Sequence, residues 1–115
     1  MKIYCCHKYG GDPKNKLAVE NKIKSLYKNN QKMFSDLKVI FVSPIHAFGY
    51  LYDVTTYEDG IDMCLNLLKD CDVLLTFGSS SLSQGCLIER KFCLDNGIPI
   101  IDFENWQRIF YDIPK

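Results

Sequence analysis

The chain has 115 residues, 47% of them hydrophobic, a size that allows one domain with a real core and leaves no room for a second. Fourteen basic residues balance fourteen acidic ones, which excludes the one-signed field that would draw nucleic acid or an anionic membrane surface. No apolar run approaches the roughly 20 residues needed to span a bilayer. Met1 leads straight into a strand-like run with no secretory leader, so the six cysteines are expected to be reduced, buried side chains of a cytoplasmic protein.

Lys2 to His7 is a short run rich in Ile, Tyr and Cys, closed by Tyr9-Gly10-Gly11-Asp12-Pro13, and predicts a first strand and a turn. Asp12 can cap the following helix with Pro13 in its first position, and Ala18, Val19, Ile23, Leu26 and Tyr27 then recur at helical spacing to about Asn30. The lysines from Lys14 to Lys38 are interleaved with Glu20, Asn21, Asn29 and Asn30 and read as a solvated face. Leu37 to Ser43, β-branched and aromatic, predicts a second strand closed by Pro44 and followed by a long loop. Thr56, three residues before Asp59, resembles a capping box for a second helix that carries Ile61, Cys64, Leu65 and Leu68 and ends near Asp70. Asp72 to Phe77 predicts a third strand, Gly78 to Ser83 a polar turn, and Gln84 to Asn96 a helix stopped by Gly97. Ile98 to Phe103 is a fourth strand, and Glu104 to Tyr111 a short terminal helix with Trp106, Ile109 and Phe110 on one face.

Strands alternating with helices imply an α/β fold, a parallel sheet of four or five strands covered by helices on both faces. Such sheets bind ligands in the crevice at the carboxyl ends of their strands. Here those ends are His7 to Asp12, Pro44 to Asp53, Gly78 to Ser83 and the stretch after Ile101.

One residue does not suit the core. Gly85, Cys86, Glu89, Phe92 and Cys93 share a helix face, so a carboxylate is placed among small and apolar neighbours. Burying an unpartnered carboxylate costs several kcal/mol, which marks Glu89 as a candidate functional group. Its place near the helix start predicts that the dipole keeps it ionised. With the hydroxyls of Ser79, Ser80, Ser81 and Ser83 just before it, such a carboxylate could serve as a nucleophile or stabilise a cationic sugar. The alternative is a glutamate that leans out to a surface lysine.

Several segments, taken in order over residues 1–102, resemble the nucleoside 2-deoxyribosyltransferase superfamily, and most closely its small bacterial and phage members. They are Ile3-Tyr4, the His7, Tyr9, Gly10 and Gly11 that follow, Ser43-Pro44-Ile45-His46, the Cys71 to Leu75 strand, and the Ser-x-Gly-x-x-x-Glu run from Ser83 to Glu89. The resemblance implies a flavodoxin-like three-layer sandwich and an enzyme that cleaves or transfers the N-glycosidic bond of a nucleoside or nucleoside monophosphate. By the same resemblance Glu89 attacks the anomeric carbon, Tyr4 orients it, Ser83 contacts sugar or phosphate, and an acid early in the second helix, Asp59 or Asp62, assists. No metal or organic cofactor is implied, and related domains complete their sites as homodimers or larger homo-oligomers. The apolar face around Trp106 offers a surface for a second copy.

Departures from the pattern also carry information. The transferases usually have Gly after the first strand where this chain has His7-Lys8, and Asp where it has Ser83. A neutral hydroxyl accepts a phosphate that Asp would repel, which brings the chain closer to hydrolases of deoxynucleoside monophosphates. Lys8, Gly10 and Gly11 would then form an anion site, and Gly78, Ser79 and Gly85 would line the substrate. His46 could hydrogen-bond substrate or tie down its own loop, and His7 is open to the same two readings. Phe48, Tyr50 and Tyr52 could stack on a base or simply pack their loop. Cys86 and Cys93 flank Glu89 without a visible resolving thiol, and no zinc spacing is present.

An incomplete catalytic set leaves two other outcomes open. One is a non-catalytic nucleotide-binding sensor or sequestering module on the same fold, and the other is an interaction domain that docks through the Trp106 segment.

Overall fold

The computed structural model describes residues Met1–Tyr111. Four parallel strands, β1 (Lys2–Cys6), β2 (Ile40–Val42), β3 (Val73–Thr76) and β4 (Ile100–Asp102), form one sheet in the order β2-β1-β3-β4. The helices are α1 (Pro13–Asn29), α2 (Gln31–Asp36), α3 (Pro44–Phe48), α4 (Tyr57–Leu68), α5 (Gln84–Asn96) and α6 (Arg108–Tyr111). This is the flavodoxin-like three-layer arrangement, with four strands among the described residues.

The period-two alternation of β1 divides the core. Ile3 and Cys5 face a cluster that takes in Val19 and Leu26 of α1, Phe34 of α2, and Ile109 and Phe110 of α6. Tyr4 and Cys6 face the opposite cluster, with Leu68 of α4 and Cys86 and Cys93 of α5. The two central strands, β1 and β3, are buried on both faces and read as continuous apolar runs, whereas β2 and β4 at the edges are only partly covered.

Local chemistry sets most boundaries. Asp12 Oδ1 accepts the Lys14 N–H at 2.9 Å, with Pro13 at the first position of α1. Thr56 Oγ1 accepts the Asp59 N–H at 3.1 Å to start α4, and Gly97, at φ 70°, ends α5 in left-handed geometry.

Several segments depart from the sequence-based expectation, among them the fourth strand, which narrows from Ile98 to Phe103 to Ile100–Asp102, and the terminal helix, which is confined to Arg108–Tyr111. Gln31–Asp36 makes a further helical turn that seats Phe34 in the core. The second strand is shorter than Leu37 to Ser43, because Lys38 sits at φ 52°, outside the extended region. The expected long loop after Pro44 holds α3, which Ser43 caps by accepting the His46 N–H at 3.4 Å, and then a single 3₁₀ turn at Gly49–Leu51.

The C-terminal apolar face is corrected as well. Trp106 packs against Phe34 and Phe110, and Ile109 and Phe110 are buried in the chain's own core, so the face read as a surface for a second copy or a partner is already covered. Among the described residues no helix is long and apolar enough to cross a membrane.

Candidate functional site

In the order β2-β1-β3-β4 the chain winds outward in both directions from the adjacent pair β1 and β3. The connection after β1 leads to α1 on one face and the connection after β3 leads to α5 on the other. A crevice must open where they part. It is a cavity of about 550 Å³, bounded by the end of β1, by α3 and α4, and by the first turns of α5.

Glu89 lies in its wall, 5% exposed. The sequence-based alternative, a glutamate leaning out to a lysine, is therefore not what the fold adopts. Its Oε2 has no hydrogen-bond partner, and neither has the nearby Tyr4 hydroxyl, which is fully buried. Burial raises the Glu89 carboxyl from its ordinary 4.5 to about 7, and the Tyr4 hydroxyl beside it offsets part of that rise without closing to hydrogen-bond distance.

That result corrects the expectation of a firmly ionised Glu89. The residue sits beyond the first turn of α5, and a dipole contribution of about 0.3 to 1 kcal/mol at a helix start fades within one turn. Desolvation is the larger effect and leaves the carboxyl poised between its two forms near neutral pH. Burial, followed by the charge of Glu89, pushes Tyr4 well above the ordinary phenol range, so its hydroxyl stays protonated and able to donate.

His7, Lys8, Tyr9 and Gly10 reach the cavity from the end of β1. The His7 Nδ1 lies 2.8 Å from the Lys8 carbonyl oxygen, which can only accept, so Nδ1 carries the proton and the unpartnered, buried Nε2 is a bare acceptor. Burial holds His7 below its ordinary 6.5, which keeps the ring neutral. Gly10 adopts φ 60°. Gly11, at φ 74°, stands outside the wall, and a Cβ there would come within 2.8 Å of Tyr52 Cε1, so this glycine fits the turn against the aromatic loop.

From α5, Ser83 and Gly85 line the cavity, and the Ser83 hydroxyl caps the helix by accepting the Cys86 N–H at 3.3 Å. Phe48 and Tyr52 contribute flat apolar surface, with Tyr52 edge-on to Tyr9 at 5.4 Å between centroids. Tyr50 stays outside and is 78% exposed.

Other candidates are held elsewhere. His46 points into a separate hollow, its Nδ1 2.8 Å from Ser43 Oγ and its Nε2 3.1 Å from Glu20 Oε1, so it ties α3 to α1 and does not meet the cavity. Asp59 and Asp62 are exposed and lie outside the wall, because their helix presents Gly60, Ile61, Met63 and Cys64 instead. Gly78 and Ser79 are exposed on the turn after β3. Ser81 in that turn is a structural pin, its hydroxyl donating to the Cys6 carbonyl at 2.7 Å while accepting the Phe77 N–H.

Sequence reasoning missed Asn15, Gln84 and Cys64 in the wall, and Cys6 behind it. Asn15 carries a weak local signal, since its side-chain amide donates to the Tyr9 carbonyl at 2.9 Å and braces the turn. For the cysteines no local signal exists. Burial raises the Cys64 thiol to about 12, so it enters the wall as a neutral group.

An acid and a neutral imidazole thus line one cavity, with a fully buried phenol beside the acid, and each of the three carries an unsatisfied polar atom. Buried polar atoms are rarely left so, and a role at the cavity is one account of them. No protein-family model, curated protein or solved structure matches the chain.

Proposed function

We propose that the chain cleaves or transfers the N-glycosidic bond of a nucleoside or nucleoside monophosphate, with Glu89 as nucleophile. The observation that carries this reading is the buried, unpartnered Glu89 carboxyl in the cavity wall, with the protonated Tyr4 hydroxyl beside it. In its ionised form a Glu89 oxygen bonds to the anomeric carbon as the carbon–nitrogen bond breaks, and the electron pair leaves with the base. Water or the nitrogen of a second base then attacks the same carbon and frees the carboxylate. Tyr4 donates toward the carboxylate and fixes its direction. His7 Nε2 accepts a hydrogen bond from a sugar hydroxyl or a base N–H, Phe48 and Tyr52 meet the base, and Lys8 with Gly10 faces the sugar or its phosphate.

A second reading rests on one specific feature. Glu89 is the sole carboxyl in the cavity wall among the described residues, with Asp59 and Asp62 outside, so no second acid stands ready to protonate a departing base. A nucleotide-binding module that senses or sequesters its ligand needs the cavity and no second acid.

The test is incubation with a panel of nucleosides, deoxynucleosides and their monophosphates, followed by chromatography for free base. Release that Glu89→Gln abolishes, and that climbs as pH rises through about 7, supports glycosyl chemistry, because only the deprotonated carboxylate attacks. Saturable binding without release favours the sensor, and neither binding nor release refutes both.

A further inference from the structure

Two thiols that meet beside Glu89 come from distant parts of the chain. Cys6 ends β1 and Cys86 lies in the first turn of α5, 80 positions later. Packing α5 on the face of β1 that carries Tyr4 and Cys6 brings the two sulfurs and a Glu89 carboxylate oxygen within 4.8 Å of one another, all three residues being buried. Their present partners are weak, Cys6 Sγ standing 3.9 Å from the Cys86 carbonyl oxygen and Cys86 Sγ 3.7 Å from that of Ser80. Glu89 Oε2 has none.

Two sulfurs and one carboxylate are donors for a borderline-soft divalent ion, not for magnesium or calcium, which take oxygen shells. Zinc bonds sulfur at about 2.3 Å and carboxylate oxygen at about 2.0 to 2.2 Å, so neighbouring donors of a tetrahedral site stand about 3.5 to 3.8 Å apart. The three atoms here need to close by about 1.3 Å at most, a movement within reach of side-chain rotation. Cys86 and Glu89 border the cavity while Cys6 lies behind them, so the fourth coordination position of such an ion faces the cavity. Three protein ligands with one open position describe an exchangeable zinc site, not a closed structural one.

A cation would bind these three groups in their deprotonated forms. The Cys86 sulfur, and then burial, hold the Cys6 thiol up, while the Cys6 sulfur lowers Cys86 and burial raises Glu89. A divalent ion supplies the charge that makes three anions tolerable in this setting.

We propose that Cys6, Cys86 and Glu89 bind one zinc ion at the floor of the cavity, with its fourth coordination position open to ligand. If the glycosyl reading also holds, the ion occupies the nucleophile and zinc inhibits base release, but the site itself does not depend on that reading.

Cobalt(II) is the probe, titrated into the full chain under anaerobic, reducing conditions. The expected result is a saturable one-to-one complex with a thiolate-to-cobalt charge-transfer band and visible bands of tetrahedral strength, displaced by zinc. Cys6→Ser and Cys86→Ser should each weaken binding at least about tenfold and cut the charge-transfer intensity by about half. Glu89→Gln should weaken binding while keeping the full intensity, and Cys71→Ser, away from the site, should change neither. Absence of the band, or a band unchanged in both cysteine variants, overturns the proposal. Circular dichroism checks that the variants fold, and should either serine variant fail, the wild-type titration and the isosteric Glu89→Gln still decide the matter. Cobalt binding by a protein whose metal-free form releases no base would refute the glycosyl reading alone, and base release by the metal-free form without cobalt binding would refute the zinc site alone.

Discussion

Replacing Glu89 with glutamine keeps its shape and removes a charge that the fold disfavours, so the substitution should stabilise the protein by an amount that depends on pH. The folded carboxyl titrates at about 7 against 4.5 in an exposed chain. Between those values the folded state binds more protons than the unfolded one, so wild-type stability falls as pH rises through this window and levels off above about 7. At 1.36 kcal/mol for each pH unit of displacement, the ionised side chain costs about 1 kcal/mol at about pH 5 and about 3 kcal/mol at about pH 8. The amide has no such dependence. Any fixed gain or loss from its own hydrogen bonds shifts all points equally, so the readout is the change in the difference between the two proteins. Urea unfolding of both across this range should show Glu89→Gln pulling ahead by about 2 kcal/mol, with unchanged m-values. A difference that stays flat with pH would refute a carboxyl desolvated in the folded state, and with it the poised nucleophile.

Ser81→Ala should destabilise by about 2 kcal/mol in urea unfolding, since it strands the buried Phe77 N–H and removes the donor to the Cys6 carbonyl. The same variant loosens the end of β1, so cobalt affinity should fall alongside stability. Lys38→Gly should raise stability by about 1 kcal/mol, because φ 52° strains a residue with a Cβ and suits glycine. A loss of stability in Lys38→Gly would show that the lysine side chain contributes more than its backbone geometry costs.

Much of the scaffold is legible in local chemistry. Asp12-Pro13 marks the start of α1, Ser83 and Gly97 bound α5, and the apolar runs of β1 and β3 read as strands because both faces of a central strand are covered. Local chemistry does not single out the α3 turn, since Ser43 and Pro44 also suit the end of a strand and only the packing of Ile45 into the core decides between them. Glu89 stood out because a carboxylate on an apolar helix face breaks the period expected of that face.

Local signals end where atoms far apart in the chain must meet. His46, Asp59 and Asp62 occupy rim positions in the sequence order, yet each side chain takes its direction from the element that carries it, toward Glu20 in one case and solvent in the others. Whether Glu89 keeps its ordinary 4.5 or is raised to about 7 depends on how completely α4 and α5 exclude water around it, which no run of residues records. Cys6 and Cys86 become neighbours through the register of β1 against β3 and the seating of α5, and a spacing rule for ligands on one short segment has nothing to count. Strand, helix and cap follow from interactions a few residues long, whereas desolvation and convergence follow from the sum of packing over the whole sheet.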